Sequence, residues 1–515
     1  MTDSRSTNKP NLSVVILARD AAPFIAATIA SAKAIAQEVI VCDTGSNDDT
    51  AGQALFAGAK VIHQPWQENF SAARNAAMAH ATGKWILWLD AGESLAEEES
   101  AQLVEFLTTQ ADDNTAYWMF VAVPVEGHNV GGEQVARVRL HPRRTNLKFT
   151  GRVRETLLPS LTELGIGVEG LRLHIQRGPR EHDSQVKQAR AERNINLAEK
   201  EMMETGPRPE LWNTLGEAYQ VLGRFEESSA CYRQGRIAAS PKSAQLLEAY
   251  YGILTTLDAG GEERQQQLQL CMEAVEHFPL DSQLLCAMGG YLQALGHDEL
   301  ALRSYDVASK HGRIEPMLWH LPNILELAAS CHAALLSQRG KVDAAIGVLE
   351  QGLQMFPDSS RLLLQQMELQ VQQGNRDGAV ETLKRMPMSD LQREMYATAL
   401  QGACEAARQN WIAARAYLET AYNAGLVSPI CYRWLCETYL ALGQIAAAEV
   451  ILEAWREADP RSKDVRDFRH RLQNAPPQSA DDSRRIDPPL AEQKLVPPAN
   501  RPREILPIPG KTRRE

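Results

Sequence analysis

The sequence predicts an α/β domain built on a mostly parallel sheet, followed by an all-α solenoid of stacked helix hairpins. Three observations lead there. Between residues 12 and 90, short continuous apolar runs alternate with amphipathic stretches, the pattern of parallel strands covered on both faces by helices. From about residue 187 the chain is helical, and a glycine returns at near-regular intervals. At 515 residues the chain is too long for one core, so two or three domains are expected.

The elements follow in order. LSVVILA (12–18) reads as a buried strand. AAPFIAATIASAKAIA (21–36) reads as a helix with Pro23 in its first turn, where the missing N–H has no helical partner to lose. EVIVCD (38–43) is a second strand, followed by the turn TGSNDDT, a helix to about Gly58 and a strand AKVIHQ (59–64). A helix from Ser71 to Thr82 and the strand WILWLD (85–90) come next. SLAE (94–97) has the spacing of a capping box opening a helix that runs to about Gln110. AYWMFVAVPV and ARVRLH form two strands around the loop EGHNVGGEQ, where Gly131-Gly132 suits the turn. GRVRETLLPSL (151–161) and VEGLRLHIQRG (168–178) continue a more irregular second half.

In LWNTLGEAYQVLGRFEESSACYRQG (211–235), residues Trp212, Leu215, Gly216, Tyr219, Gly223 and Tyr232 fall where a tetratricopeptide hairpin places them. The turn glycine recurs at Gly296, Gly340, Gly374 and Gly443. Gly340 to Gly374 is 34 residues, and Gly374 to Gly443 is 69, about two periods, with Arg408-Gln409-Asn410 at the missing turn. The 73 residues from Gly223 to Gly296 and the 44 from Gly296 to Gly340 predict insertions. A small residue follows five after the turn at Ala301, Ala345, Ala379 and Ala448, and Pro241, Pro357 and Pro460 close units. Each hairpin has an apolar face that only its neighbours can bury, so the units stack. The expected layout is a disordered N-terminus (1–10), the α/β domain (11–184), the repeat array (185–472) and a disordered proline-rich tail (473–515).

A net charge of -11 argues against general nucleic-acid binding. The eight cysteines contain no Cys-x-x-Cys pair, so they read as reduced core residues rather than a zinc ribbon or a disulfide framework. The first residues, MTDSRSTNKPN, lack a signal-peptide core, and no apolar run approaches the ~20 residues of a membrane helix. The expectation is a cytoplasmic protein with no transmembrane segment, at most peripheral to the inner membrane.

In an open parallel sheet, ligands sit beyond the carboxyl ends of the strands. Two strands end there in acid, at Asp43 and Asp90. Such an acid can accept from a base N–H or a ribose hydroxyl. For Asp43 the sequence Asp-Thr-Gly-Ser is also good turn chemistry, which would account for the acid by itself. The stretches VIVCDTGSNDDT, WQENFSAARNAAMAHATGKWILWLDAGE and RLHPRRTNLKFTGRVRETL resemble the family-2 glycosyltransferases of the GT-A fold. They are most similar to the bacterial branch in which a short transferase domain precedes tetratricopeptide repeats. The resemblance covers roughly residues 11–180, with the repeats behind it. It implies a Rossmann-like sheet, a nucleotide-sugar donor and usually a divalent cation, manganese or magnesium. It also implies inverting transfer to a glycan, lipid-linked or protein acceptor, with the repeats holding the acceptor or a protein partner.

Under this resemblance Asp43 reads the nucleoside, and Arg74 and Asn75 lie on the family's Ala-Arg-Asn helix beside the donor. Asp90 is the first acid of the Asp-x-Asp element that meets ribose and metal, and Glu93 matches an acid that often follows it. The second acid of the element falls at Gly92, so a glycine occupies a metal-ligand position. Family members often read Val-His-Glu where this chain has Val153-Arg154-Glu155, and a histidine where it has Gln176; His174 is out of register. The residues offered to a metal therefore reduce to Asp90, and metal dependence is in doubt. Arg152, Arg154 and Arg177 are the candidates for fixed charge on the leaving diphosphate, and they fit a solvated basic strand face equally well. Displacement at the anomeric carbon needs a base; Glu93 and Glu155 are both candidates. His128 and His141 are expected to be structural or exposed. The competing reading is a degenerate transferase domain serving as a scaffold whose repeats bind peptides. Nucleotidyl transfer is weaker, since no Gly-rich phosphate loop follows the first strand.

Overall fold

The computed structural model describes residues 9–123, 133–178, 183–261, 264–458 and 463–473. The first residues, the loop carrying His128 and Gly131-Gly132, Pro460 and the proline-rich tail lie outside them. The described chain falls into two compact units, one of residues 9–296 and 313–324 and one of residues 297–312 and 325–473.

The first unit contains an eight-stranded sheet. Strand β1 (Leu12–Ala18) lies between β2 (Glu38–Asp43) and β4 (Trp85–Asp90), parallel to both, and β3 (Lys60–His63) adds parallel to β2. The register pairs Ala18 with Asp43 and Leu17 with Asp90, so the two acids flank the carboxyl end of β1. The other half is mixed. Strand β7 (Glu133–Pro142) runs antiparallel to β4, and β6 (Thr115–Val123) antiparallel to β7. Strand β8 (Gly167–Arg177) is parallel to β6 and carries the three-residue β5 (Glu93–Leu95) on its outer edge.

Successive side chains of a strand point to opposite faces, and the two faces of this sheet bury separate cores. Val14, Ile16, Leu87 and Leu89 pack with Ile25 and Ile29 of α1 (Ala22–Ile35) and Leu103 of α4 (Glu97–Thr109). Val15, Ile86 and Trp88 pack with Ala77 of α3 (Phe70–Met78) and Leu161 of α5 (Leu158–Glu163). Helix α2 (Thr50–Phe56) bridges β2 and β3. Each such Leu or Ile contributes roughly 1.5–3 kcal/mol by burial.

Two local expectations need correcting. Ser94 does not cap α4; it lies in β5 opposite Gln176, and the helix starts at Glu97 from an Ala96 that makes no side-chain cap bond. Glu97, Glu98 and Glu99 in the first turn suit the helix dipole instead. Helix α3 stops at Met78, because the backbone and hydroxyl of Thr82 are both bonded to Glu38 and the chain must turn to reach it.

The helical part begins with α6 (Ser184–Thr205), α7 (Pro209–Val221) and α8 (Phe225–Ala238). The Tyr232 ring fills the space left by Gly216 of α7 and Gly252 of α9 (Ala244–Gly260); a Cβ at either would stand 2.7 or 2.3 Å from it. The 73-residue interval spans two units: Gly261 (φ +76°) closes α9 before α10 (Arg264–His277), and the extra length lies in the 17-residue α9 rather than in a separate inserted segment. The chain continues through α11 (Ser282–Ala294), α12 (Asp298–His311), α13 (Ile324–Gln338), α14 (Val342–Met355), α15 (Ser360–Gln372) and α16 (Arg376–Arg385). Then come α17 (Asp390–Ala407), α18 (Trp411–Asn423), α19 (Pro429–Ala441), α20 (Ile445–Ala458) and α21 (Lys463–Gln473), the last helix among the described residues. At the turn without a glycine, Gln409 adopts φ +64°, and Ala414 five residues on is fully buried like Ala301, Ala345, Ala379 and Ala448.

The 44-residue interval does carry an insertion, between α12 and α13, and within the first unit it returns to the sheet. Strand β4 pairs only with residues 140–142 of β7, leaving the start of that edge open. Gln134 and His320 exchange backbone hydrogen bonds there (3.0 and 2.9 Å), Ala136 N–H donates to the Pro316 carbonyl, and Arg137 reaches the Met317 carbonyl.

Candidate active site

The carboxyl ends of β1, β2 and β4 open onto a group of charged side chains. Arg74 sits at its base, 7% exposed, with its guanidinium 5.1 Å from the Trp88 ring and 5.6 Å from Phe149. It donates from Nε to Glu155 (2.6 Å) and from Nη2 to Asp90 (2.9 Å). Helix α3 aims it there: Asn69 caps the helix by accepting from Ala72 N–H, and Ser71 donates to the Gly151 carbonyl. Burial lowers the Arg74 pKa, but Asp90 and Glu155 outweigh it and hold the guanidinium charged.

Asp90 keeps a 35% exposed side chain although Arg74 and Arg139 both bond it. Burial raises its pKa, while Arg74, Arg139 and Arg177 together hold the carboxyl well below the ordinary range. Glu93 is sealed, with 3% of its side chain exposed. It accepts from Arg139 (2.8 Å) and the Asp90 backbone N–H (2.8 Å), with Arg177 at 3.5 Å. Burial and the Asp90 charge push its carboxyl above the usual value despite the two arginines. Arg139, on β7, is thus a central member of the cluster that the sequence reading passed over. The available signal was an arginine at an inward position on the strand beside β4.

Asp43 is buried, and one oxygen is committed to the turn, accepting from the backbone N–H (3.0 Å) and hydroxyl (2.6 Å) of Ser46. The turn reading is therefore realised, and the second oxygen faces His63 Nδ1 at 3.3 Å. Asn75 uses both ends of its amide on the backbone of Phe149, which makes it a brace for the 147–150 segment. Glu155 is 13% exposed and bonded to Arg74.

Arg154 requires a correction. At φ +51° its side chain is paired with Glu217 of α7 and Glu248 of α9. A guanidinium held between two carboxylates offers little net charge to a phosphate. Arg152 is likewise paired with Glu204. Arg177 stays near the site, beside Glu93 and 5.7 Å from the Trp319 ring. His174 is engaged elsewhere, 3.2 Å from Glu99 and stacked on Phe120. His141 is fully buried and structural: its Nε2 accepts from the Trp88 indole N–H, which puts the proton on Nδ1 facing the Pro142 carbonyl.

Gly92 has φ +99°, a conformation that side-chain-bearing residues rarely adopt, and its N–H donates to Thr28. Among the described residues no group of three or more His, Cys, Asp or Glu could hold a metal ion. Asp90 has both oxygens engaged by arginines, so the protein side chains alone do not fit a divalent cation. Among the described residues no helix is long and apolar enough to cross a membrane.

Comparison with known proteins finds matches to two separate stretches of the chain. A family model for glycosyl transferase family 2 matches residues 13–160, and a tetratricopeptide repeat model matches residues 336–403. A tetratricopeptide repeat-containing protein of Synechococcus elongatus is 48% identical over 92 residues, 18% of this chain and 23% of that protein. The prophage-derived glycosyltransferase SunS of Bacillus subtilis is 25% identical over 232 residues, 43% of this chain and 52% of that protein. The chain thus spans from about a quarter to about half of the length of these curated relatives. A crystal structure of glucosyl-3-phosphoglycerate synthase from Mycobacterium tuberculosis, in complex with Mn2+, uridine diphosphate and glucosyl-3-phosphoglycerate, is 20% identical. It covers 35% of this chain and 77% of its own, with a TM-score of 0.25. The chain joins a family-2 glycosyltransferase domain of α/β architecture to tetratricopeptide repeats.

Proposed function

We propose that the protein transfers a sugar, with inversion, from a nucleotide-sugar donor to a cell-envelope glycan, glycolipid or protein acceptor. The observation that carries this reading is Asp90: a partly exposed, firmly ionised carboxylate at the end of β4, braced by Arg74 and Arg139 beside the end of β1. In this reading the second oxygen of Asp43, the one facing His63, meets the nucleoside and Asp90 meets the ribose side of the donor. The acceptor oxygen attacks the anomeric carbon as the bond to the diphosphate oxygen breaks, and the acceptor proton passes to a carboxylate. Glu155 suits that role better than Glu93, whose oxygens are sealed, bonded to Arg139 and the Asp90 backbone and close to Arg177. Glu93 instead orients Arg139. With Asp90 as the single carboxylate offered to a cation, any ion would be completed by the donor's own phosphates, and no step is assigned to it.

We assign the transferase to residues 11–184 and protein binding to the repeats at 185–472. None of the eight cysteines is in a disulfide, which suits a cytoplasmic location.

The test is a thermal-shift screen of nucleotide sugars with and without manganese, because bound ligand raises apparent stability. Isothermal titration of Asp43→Ala and Asp90→Ala with the selected donor follows. Both variants should lose donor binding. Unchanged affinity in both would place the site elsewhere, and absence of turnover with every donor would favour the scaffold reading suggested by the glycine at 92.

A further inference from the structure

Helix α6 brings a second set of charges to the crevice. It is capped by Asp183, which accepts from the backbone N–H of Gln185 and Val186. Its Leu197 and Ala198 are buried with Val153, and Trp66 and Phe70 pack against the same cluster. One turn before Leu197, Arg193 lays its guanidinium over the Phe70 ring at 4.9 Å. Phe70 and Arg74 are four residues apart on α3 and so share a face. Arg193 therefore packs against the same helix, α3, that carries the arginine holding Asp90 and Glu155.

Among the described residues Arg193 has no acidic partner; its hydrogen bonds go to the side-chain oxygen of its neighbour Asn194, at 3.1 and 3.4 Å. It is nevertheless reachable from solvent. Surrounding protein pulls its guanidinium down to about 10, Arg190 and Arg19 push the same way, and Glu155 and Asp90 oppose them. Arg19 directly follows β1, between the strand ends that carry Asp43 and Asp90. Its nearest acid is the adjacent Asp20, at 3.8 Å. Arginines from the end of β1 and from α6 thus gather at one mouth, while both nearby acids are already held by Arg74. Like charges collected this way repel, and an anion between them relieves the repulsion.

We propose that Arg193, assisted by Arg19, binds the diphosphate of the donor. This rests on the transferase reading and goes beyond it: the charge expected of Arg154 comes instead from the first helix after the sheet. A planar guanidinium can pair two phosphate oxygens at once, and the diphosphate gains charge as its bond to the sugar breaks. Donor binding then requires α6 as well as the sheet.

The experiment is isothermal titration of the full chain, in EDTA, with the diphosphates of adenosine, guanosine, cytidine, uridine and thymidine, each beside its nucleoside. Arg193→Ala should weaken the preferred nucleoside diphosphate at least tenfold and its nucleoside less than twofold, and Arg193→Lys should recover part of the loss. If Arg193→Ala melts early, Arg193→Gln carries the same comparison. Diphosphate affinity within twofold of the parent in a folded variant overturns the proposal and leaves the transferase reading intact. If the parent binds none of the five and turns over no donor, the transferase reading fails and takes the proposal with it.

Discussion

Replacing Arg139 by methionine should destabilise the sheet unit strongly, and neutralising Glu93 as well should cost less than the two changes added together. Arg139 lies 2.8 Å from Glu93 and 3.4 Å from Asp90. With an effective dielectric constant near 20, these separations correspond to about 6 and about 5 kcal/mol of gross attraction. Desolvation offsets much of that, and breaking one side of a buried pair typically costs roughly 3–5 kcal/mol. Domain stabilities are only about 5–15 kcal/mol, so Arg139→Met removes a large share. Glu93 would be left sealed, with Arg177 at 3.5 Å as its remaining cation. In Arg139→Met/Glu93→Gln neither buried charge remains, and the double variant should be roughly 2–3 kcal/mol less destabilised than the two single changes added together. The chain has more than one compact unit, so a single global transition is the wrong measure. Hydrogen exchange of β4 and β7 amides across a urea series isolates the relevant region. If the two changes add to within about 0.5 kcal/mol, Glu93 and Arg139 do not stabilise one another and the positioning role given to Glu93 is wrong.

Two other outcomes follow from the packing. Burial lowers His141 from 6.5 to about 4, so an unfolded chain takes up this proton before the folded one does. Its contribution is full above pH 6.5 and is lost as pH falls towards 4, by at most roughly 3 kcal/mol; His141→Gln should flatten the stability slope across that window, and an unaltered slope would show that His141 does not cause it. Gln409→Gly should stabilise its turn by a few tenths to about 1 kcal/mol, since the left-handed conformation costs a side chain ~1–2 kcal/mol and glycine's extra freedom when unfolded returns part of it; a lower urea midpoint for α17 and α18 would contradict this.

Strands β1, β2 and β4 were legible because they are buried on both faces, which forces continuous apolar runs such as LSVVILA and WILWLD. The two acids were legible for a related reason, since each interrupts such a run at its end. Arg139 was not, because alternation along ARVRLH shows which residues share a face but not that the face meets two carboxylates from β4 and β5. Arg154 misled because its chain neighbour Glu155 does reach Arg74. Its own partners stand 63 and 94 residues away on helices whose placement no local pattern reveals. The turn at Gly261 escaped because a long α9 displaced it from the period. Ser94 obeyed the capping-box spacing, yet pairing with β8 claimed its backbone first.

The strip of insertion that covers the start of β7 also sets a clock on synthesis. His320 is 186 residues downstream of the Gln134 it pairs with, and Met317 is 180 downstream of Arg137. At elongation rates of about 5–20 residues per second, the ribosome needs roughly 10–40 s to deliver the covering segment after β7 has been made. Throughout that interval the nascent sheet presents unpaired N–H and C=O groups at Gln134 and Ala136, the kind of edge to which another chain can add. A chain truncated before residue 316 never closes that edge, so shortened versions ending with the sheet should self-associate where the full chain does not.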